Sequence, residues 1–210
     1  MITYNFSTAI VIGTNSLVRL TIREALERYN ITCLKEFDNN IKPKDIFDVS
    51  LTPEVIFIDI DSTQMNLFYL IEELRESGYQ GILIITSSKN EQYYSKLCAL
   101  SGANAFISKE NLFDKIDFAL NAVNIGYTAF PYYYEGYCRY NDDMKRMELL
   151  STQEVRVMHF LISGFSNTVI SQKMKINYKT VSTYKSRLMR KMKCKSIIDL
   201  IILAKENKII

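Results

Sequence analysis

Short apolar runs alternate with amphipathic helical patterns over the first 125 residues, and this alternation restricts the possible folds more than any other feature of the chain. Each run is rich in Ile, Val and Phe and too short for a helix, which is the pattern of strands buried on both faces. The four clear runs lie at residues 9–12, 55–60, 82–86 and 105–107, and a weaker one lies at 32–36. The pattern therefore predicts five strands.

Helical patterns separate the five predicted strands. They cover residues 16–29, 43–51, 66–77, 91–101 and 111–124. Strands that alternate with helices form a parallel sheet with helices on both faces. We therefore expect an α/β flavodoxin-like unit over residues 1–125, with a five-stranded parallel sheet in the order 2-1-3-4-5. In this fold the functional side chains stand at the carboxyl ends of the strands.

Two short helices are predicted between Ser166 and Met192, only a few residues apart. Ser166 and Asn177 are each a favourable N-cap residue, so each can begin a helix. The second helix has a stripe of apolar residues at three- and four-residue steps, which predicts its buried face: Val181, Tyr184, Leu188 and Met192.

The opposite face of this second helix combines small hydroxyl residues with cations. It carries Lys179, Ser182, Thr183, Ser186, Arg187 and Arg190, and the predicted DNA-binding set also includes Thr180 and Lys185. Short hydroxyl side chains let a helix backbone approach base edges, while Lys and Arg neutralise phosphates and fix the register. The face therefore predicts a helix that enters the major groove of double-stranded DNA. An ordinary amphipathic helix with a solvated basic face is the alternative.

The charges of the chain are segregated, although its net charge is only +3. Residues 1–125 carry eleven Lys and Arg against sixteen Asp and Glu, whereas residues 145–210 carry fourteen against four. A basic surface gains binding free energy by releasing counterions from phosphates, so only the C-terminal part is predicted to meet nucleic acid. An anionic membrane is a less favoured partner, because hydroxyl residues rather than large apolar ones lie between the cations.

The wider C-terminal sequence carries three motifs that belong together. They are Leu-Ser-x-x-Glu from Leu150, Gly-x-Ser-Asn from Gly164 and Thr-Val from Thr180. Over about sixty residues this part resembles the helix-turn-helix domain of the LuxR/NarL (FixJ) family of transcription regulators. Its segment TVSTYKSRLM is similar to the BvgA/EvgA branch of that family. The resemblance implies an all-α DNA-binding domain at residues 148–210.

Polar residues follow three of the predicted strands of the first unit. Asp59 ends the third strand, Ser87 follows the fourth and Lys109 follows the fifth. This set resembles the receiver domain of two-component response regulators, where an Asp accepts a phosphoryl group that a Ser or Thr and a Lys contact. The resemblance also implies that Phe106 is the aromatic residue that rotates on activation. Such chemistry needs cations and fixed donors, because charge accumulates on the phosphoryl oxygens.

The end of the first strand departs from the receiver pattern. Receivers carry adjacent acidic residues there that hold Mg²⁺, whereas this chain has Gly13 and Thr14. Mg²⁺ is usually held by carboxylates and waters in near-octahedral geometry, so Asp59 with a hydroxyl and a carbonyl makes a poor site. We predict a vestigial phosphoacceptor site without metal or cofactor, in which Lys109 pairs with Asp59. Mg²⁺ is expected only if the receiver is phosphorylated after all, with Asp61 helping to recruit it.

A segment rich in tyrosine, residues 126–147, joins the two predicted units. It has neither a helical nor an alternating period, and its tyrosines cluster from Tyr127 to Tyr140. It is too aromatic for a freely disordered linker, which is depleted in such residues. We expect some of the rings to pack on the first unit or to tether the two units.

The last helix predicts a homodimer. It begins after the cap residue Ser196 and has more apolar residues than one buried stripe requires. In the resembling family the last helix pairs the DNA-binding domains, which here assigns dimerisation to Ile198, Ile201, Ile202 and Lys205. Two copies would read half-sites about ten base pairs apart. A helix that packs only in the core of its own unit is the alternative.

The sequence as a whole predicts a cytoplasmic, sequence-specific transcription regulator whose receiver works without phosphate. No apolar stretch is long enough to span a bilayer. An enzyme is not expected, because no Gly-rich phosphate loop and no nucleophile–base pair is visible. Two alternatives remain open: an ordinary response regulator phosphorylated on Asp59 by a sensor kinase, and an interaction module that binds another regulator without reading DNA.

Overall fold

The chain folds into two compact units, Met1–Tyr132 and Tyr133–Ile210. The computed structural model describes residues 5–38, 52–61, 67–131 and 142–210. The first unit is α/β and the second is all-α, so the predicted fold class is confirmed for both. The helix predicted at residues 43–51 and residues 132–141 of the tyrosine-rich segment lie outside the described residues.

Five parallel strands form the sheet of the first unit. They are β1 (Thr8–Ile12), β2 (Thr32–Phe37), β3 (Val55–Asp59), β4 (Ile82–Ser87) and β5 (Ala105–Ser108). Their order is β2-β1-β3-β4-β5, as predicted. All five residues of the central strand β3 are buried, whereas β2 lies at an edge and is partly exposed. The half-exposed edge position explains why the sequence pattern of β2 is weak.

Four helices of the first unit are described. They are α1 (Ser16–Arg28), α2 (Leu67–Glu76), α3 (Glu91–Ser101) and α4 (Leu112–Asn124). The side chains of Asn15 and Asn90 accept backbone N–H groups at the starts of α1 and α3, which satisfies donors that a helix leaves unpaired. Ile22 of α1 and Ile116 of α4 belong to the same buried core as Phe57 of β3. The sheet and these two helices therefore fix the positions of the strand ends.

The first unit extends beyond the predicted boundary at residue 125. The backbone N–H of Phe106 donates to the carbonyl of Ala129 at 3.0 Å, and the N–H of Ala129 donates to the carbonyl of Asn104 at 2.9 Å. Ala129 thereby forms an isolated bridge with Ala105 at the edge of the sheet. The start of the predicted linker is therefore part of the first unit, because it supplies hydrogen bonds to the open edge of β5.

Five helices are described in the second unit. They are α5 (Asp142–Glu148), α6 (Thr152–Ile162), α7 (Asn167–Lys173), α8 (Tyr178–Lys191) and α9 (Ile197–Glu206). The helix α5 corrects the prediction that residues 126–147 have no helical structure. It buries Met144 and Met147, and this packing stabilises a helix too short to form alone. None of the helices in the described part of the chain is long and apolar enough to cross a membrane.

Candidate nucleic-acid interface and strand-tip site

The turn between α7 and α8 is built from local hydrogen bonds. The Ser166 hydroxyl accepts the N–H of Val169 at 3.4 Å, and the Asn177 side chain accepts the N–H of Lys179 at 2.8 Å. Both predicted N-caps are therefore present. Lys175 adopts a positive φ of 53° between the helices, which turns the chain sharply, and α8 begins at Tyr178, directly after the cap residue Asn177.

The apolar stripe of α8 anchors the helix in the second unit. Val181, Leu188 and Met192 are almost completely buried, as predicted, whereas Tyr184 is only half-buried. The tyrosine ring reaches the margin of the core, so its polar end can remain near solvent. Burial of this stripe determines which side of α8 faces outward.

The predicted DNA-binding face points away from the core. Five of its eight residues are exposed: Lys179, Thr183, Ser186, Arg187 and Arg190. The other three lie at the margins of the face and are half-buried: Thr180, Ser182 and Lys185. The helix contains no Asp or Glu, so nothing on α8 itself opposes the approach of phosphates. The five exposed residues of the predicted set thus lie on the side of α8 that the core does not cover.

The hydroxyl groups of this face donate their protons within the helix. Thr183 Oγ1 donates to the carbonyl of Lys179 at 3.0 Å, and Ser186 Oγ donates to the carbonyl of Ser182 at 2.9 Å. A hydroxyl has one donor and two acceptor positions, so the outward lone pairs stay available in this arrangement. Both groups are therefore suited to accept hydrogen bonds from the amino groups of adenine or cytosine in the major groove.

Two further exposed residues lie near the start of α8 and were not part of the predicted interface. Tyr178 is the first residue of α8 and is 52% exposed, and Lys175 is exposed in the preceding turn. Recognition helices contact base edges through their N-terminal residues, so Tyr178 stands where such contacts are made. Its position directly after the cap residue Asn177 was a signal that could have identified it.

A buried ion pair joins α6 to the end of α8. Glu154 is only 2% exposed, and its carboxylate accepts Lys191 Nζ at 2.6 Å and the backbone N–H of Ser151 at 2.8 Å. Lys191 Nζ also donates to the carbonyl of Leu149 at 2.9 Å. Burial alone would raise the pKa of Glu154, but the hydrogen bonds from Lys191 and Ser151 hold this pKa below its ordinary value of 4.5. The pair holds the C-terminal end of α8 in place.

Helix α9 exposes part of its apolar surface. Leu200, Leu203 and Ala204 are buried in the second unit. Ile198 is 68% exposed and Ile202 is 49% exposed. The remaining predicted dimerisation residues are Ile201, which is partly buried, and Lys205, which is exposed. The predicted surplus of apolar residues therefore lies on a surface that the second unit does not cover.

The strand tips of the first unit bring Asp59 and Lys109 together. Asp59 at the end of β3 is 1% exposed, and Lys109 Nζ lies 2.7 Å from its Oδ1. The same ammonium lies 2.9 Å from Oδ2 of Asp61. The predicted Asp59–Lys109 ion pair is thus present, and it extends to a second carboxylate. Breaking such a pair by removing one partner leaves an uncompensated charge in a poorly solvated site.

Asp61 accepts the donors that were assigned to a phosphoryl group. Its Oδ1 accepts Ser87 Oγ at 2.5 Å, and its Oδ2 accepts the backbone N–H of Ser88 at 2.7 Å and Ser88 Oγ at 2.5 Å. Burial alone would raise the pKa of Asp61, but hydrogen bonds from Ser87, Ser88 and Lys109 hold this pKa below its ordinary value of 3.8. The sequence did not identify this role, although the two-residue spacing from Asp59 places Asp61 at the same sheet edge.

Gly13 lies too close to Asp59 to carry a side chain in this arrangement. A Cβ atom on Gly13 would lie 2.7 Å from Cβ of Asp59, which is closer than such atoms approach. The Gly13 carbonyl instead accepts Arg19 Nη1 at 2.5 Å. Thr14 follows as an exposed residue. The end of β1 therefore offers no carboxylate, and at Gly13 it offers no room for one in this arrangement.

Two carboxylates stand at the strand tips, and both are bound by Lys109. A Mg²⁺ site needs several oxygen ligands around the metal, usually including more than one carboxylate. Here the ammonium of Lys109 stands between Asp59 and Asp61, at the position where a cation would approach both. Within the described ranges, no group of three or more His, Cys, Asp and Glu residues could hold a metal ion.

Phe106 is buried in β5. Its side chain is nearly inaccessible, and its backbone N–H is bound by Ala129. The predicted switch residue therefore points inward, next to a segment that leads towards the second unit along the chain. Ser87 is also fully buried, and its hydroxyl donates to Asp61 and accepts the backbone N–H of Lys89.

Comparison with protein families and sequences gives matches over the second unit and over nearly the whole chain. Residues 148–204 match the family described as bacterial regulatory proteins, luxR family. The DNA-binding transcriptional activator EvgA of Escherichia coli (strain K12) is 39% identical over 202 residues, which cover 96% of this chain and 98% of EvgA. BvgA of Bordetella pertussis (strain Tohama I), which is described as a positive transcription regulator of virulence factors, is 30% identical over 209 residues. This match covers 97% of this chain and 99% of BvgA.

Solved structures of RcsB have the same fold. RcsB of Salmonella enterica serovar Typhimurium, bound to promoter P1flhDC in the presence of the phosphomimetic BeF₃⁻, has a TM-score of 0.67 at 19% identity, covering 96% of this chain and all of RcsB. A structure of two RcsB dimers bound to two parallel DNAs has a TM-score of 0.64 at 18% identity, covering 95% of this chain and 98% of RcsB. At these identities the likeness shows the fold alone.

Proposed function

The chain belongs to the LuxR/NarL family of two-domain response regulators, in the branch that contains EvgA and BvgA, and we propose that its receiver unit works without phosphorylation. It is a DNA-binding transcription regulator of the response-regulator type. The proposal adds that it reads a specific sequence through α8, acts in the cytoplasm where its DNA target lies, catalyses no reaction and needs no cofactor.

The exposed face of α8 supports sequence-specific binding. Thr183 and Ser186 offer hydrogen-bond acceptors at the centre of this face, while Arg187 and Arg190 are exposed cations further along α8. Contacts to phosphates give affinity and register, whereas contacts to base edges give specificity. The arrangement therefore assigns different tasks to residues of one helix.

The close approach of Gly13 to Asp59 carries the proposal for the receiver unit. Phosphoryl transfer to Asp59 needs a divalent cation to offset charge on the phosphoryl oxygens. A carboxylate at position 13 would collide with Asp59 unless the backbone moved. The ammonium of Lys109, already bound by Asp59 and Asp61, is one positive charge and is a poor substitute for the metal. Control would then come from protein abundance, a partner or a small ligand.

Intact mass analysis after incubation with acetyl phosphate and Mg²⁺ tests this proposal. We expect the purified full-length protein to gain no phosphoryl group, while a receiver with an intact acidic pair does so in parallel. Asp59→Asn is then expected to leave DNA affinity and promoter activity nearly unchanged, because Lys109 keeps Asp61 as a partner. A mass gain that is absent in Asp59→Asn, together with tighter DNA binding, would restore the ordinary response-regulator function.

Substitutions on α8 are expected to separate specificity from general affinity. Thr183→Ala should cost about 1–3 kcal/mol on the target site only, because it removes a base contact. Arg190→Ala should weaken binding to target and random DNA alike, and should lower the slope of log K against log[salt] by about one. Genome-wide footprinting supplies the target, and gel-shift titrations at several salt concentrations give both quantities.

Lys145→Ala is a matched control, because Lys145 is an exposed cation of the second unit that lies on α5. It should leave affinity and salt slope unchanged. Equal losses on target and random DNA for Thr183→Ala and Arg190→Ala would contradict the assignment. Absence of salt-dependent DNA binding by the intact chain would instead favour a protein-interaction module.

We also propose that two copies bind DNA together. Exposed Ile198 and Ile202 on α9 support a second copy as the partner, since exposed apolar surface of this kind marks interaction sites. RcsB, which shares the fold, is bound to DNA as dimers in one of its structures. A sensor kinase or another regulator remains open as a further partner.

A further inference from the structure

The carboxylate of Asp61 has more donors than a surface acid usually has. It receives the hydroxyls of Ser87 and Ser88, the backbone N–H of Ser88 and the ammonium of Lys109, all at 2.5–2.9 Å. These donors come from the end of β4, the residue after it and the residue after β5. Hydrogen bonds to an ionised acceptor are about twice as strong as those between neutral groups. The cluster is therefore a formed oxyanion site.

The occupant of this oxyanion site is attached next to it. Asp61 follows β3 by two residues, and its backbone N–H donates to Oδ1 of Asp59 at 3.2 Å, which directs the turn back towards the site. A tethered group has a high effective concentration, so a free anion must compete with a carboxylate that is always present. Free phosphate at ordinary concentrations should therefore not displace it.

We propose that Asp61 is the internal ligand of an oxyanion-binding site formed by Ser87, Ser88 and Lys109, and that removing it opens this site to small tetrahedral oxyanions. The inference rests on the proposed function, because it explains how the receiver is held in one state without a phosphoryl group. The internal carboxylate shares the ammonium of Lys109 with Asp59 and fixes the hydroxyl of Ser87. In the resembling receivers these two positions contact the phosphoryl group, so Asp61 replaces it.

The inference is tested by removing the carboxylate of Asp61 and supplying inorganic phosphate in its place. The full-length protein and Asp61→Ala are melted in chloride and in inorganic phosphate at equal ionic strength and pH 7. The wild-type melting temperature should be the same in both salts apart from general salt effects. Asp61→Ala should melt at a lower temperature in chloride and regain about 5 °C in phosphate, because an anion that binds only the folded state stabilises it.

Two variants control for nonspecific effects of phosphate. Asp114→Ala removes an exposed carboxylate from α4 and should show the wild-type response to phosphate. Asp61→Ala combined with Lys109→Met should lose the phosphate-dependent gain, because the cation of the site is absent. If Asp61→Ala does not fold, Asp61→Ser is used instead, because it also removes the carboxylate and keeps a short polar side chain.

Equal phosphate responses of wild type and Asp61→Ala would overturn the inference, as would a gain that survives the loss of Lys109. Its failure is distinguishable from failure of the proposed function. Phosphorylation of wild-type Asp59 is read by mass with acetyl phosphate, whereas occupancy by Asp61 is read by melting of a variant in inorganic phosphate. If the wild type gains no phosphoryl group and phosphate does not raise the melting temperature of Asp61→Ala, the proposed function stands and the inference about Asp61 is wrong.

Discussion

Glu154→Ala is expected to lower the free energy of unfolding of the second unit by about 3 kcal/mol. The substitution removes the carboxylate that accepts the backbone N–H of Ser151 in the capping box and leaves Lys191 without its buried carboxylate. Lys191 is 30% exposed and can reach water, so the loss should lie at the lower end of the range for a broken buried ion pair. Thermal unfolding of the full chain, followed by circular dichroism, should show the transition of this unit roughly 15 °C lower.

Glu206→Ala is the matched control for Glu154→Ala, because Glu206 is exposed at the end of α9. It should change stability by no more than about 0.5 kcal/mol. The difference in stability between wild type and Glu154→Ala should also depend on pH. The lowered pKa of Glu154 stabilises the fold above its unfolded pKa, near 4.5, and this contribution is lost as pH falls through the folded pKa. The gap between wild type and Glu154→Ala should therefore narrow below about pH 4.5, and a constant gap would show that the charge does not matter.

The sheet could be predicted from the sequence because its signals are local. A strand buried on both faces needs a short run of apolar residues, and each such run can be read without knowing its neighbours. The carboxyl ends of parallel strands meet at one edge, which is why Asp59, Ser87 and Lys109 could be placed near one another. The weak pattern of β2 follows from its edge position, where none of its residues is fully buried.

The detailed geometry of the strand tips could not be predicted. The absence of carboxylates at Gly13 and Thr14 is visible in the sequence, but the approach of Gly13 to Asp59 depends on how closely β1 and β3 lie. Asp61 was considered only as a metal ligand. Its binding to Ser87 and Ser88 depends on a side-chain rotamer and on the relative positions of two strand ends, which no sequence pattern encodes.

The second unit shows the same division between local and tertiary information. The Leu-Ser-x-x-Glu motif correctly marks the start of α6, since a capping box involves residues three apart. The partner of Glu154 is Lys191, which lies 37 residues further along the chain and is fixed only by the packing of α6 against α8. Helix α5 was missed for a similar reason, because burial of Met144 and Met147 stabilises it more than its own seven residues do.

Charge introduced on the exposed face of α9 is expected to abolish cooperative binding to DNA. In the double variant Ile198→Glu, Ile202→Glu, two carboxylates replace exposed apolar side chains, so the monomer should remain folded while the proposed pairing is lost. Linking two binding events typically raises the apparent affinity by 10² or more, and the variant should lose about 100-fold on a duplex with two half-sites. On a duplex with one half-site it should bind nearly as well as the wild type.

Leu149→Glu separates dimerisation from simple repulsion between added carboxylates and DNA. Leu149 is 67% exposed, close to the 68% of Ile198, and it lies outside α9. Leu149→Glu adds a carboxylate to the second unit without changing the proposed interface residues of α9, so the control should retain cooperative binding to two half-sites. Gel shifts with both duplexes, combined with sedimentation of the complexes, measure affinity and the number of copies bound. If the double variant still binds two half-sites with wild-type affinity, the pairing surface lies elsewhere in the chain, and α9 exposes Ile198 and Ile202 for another partner.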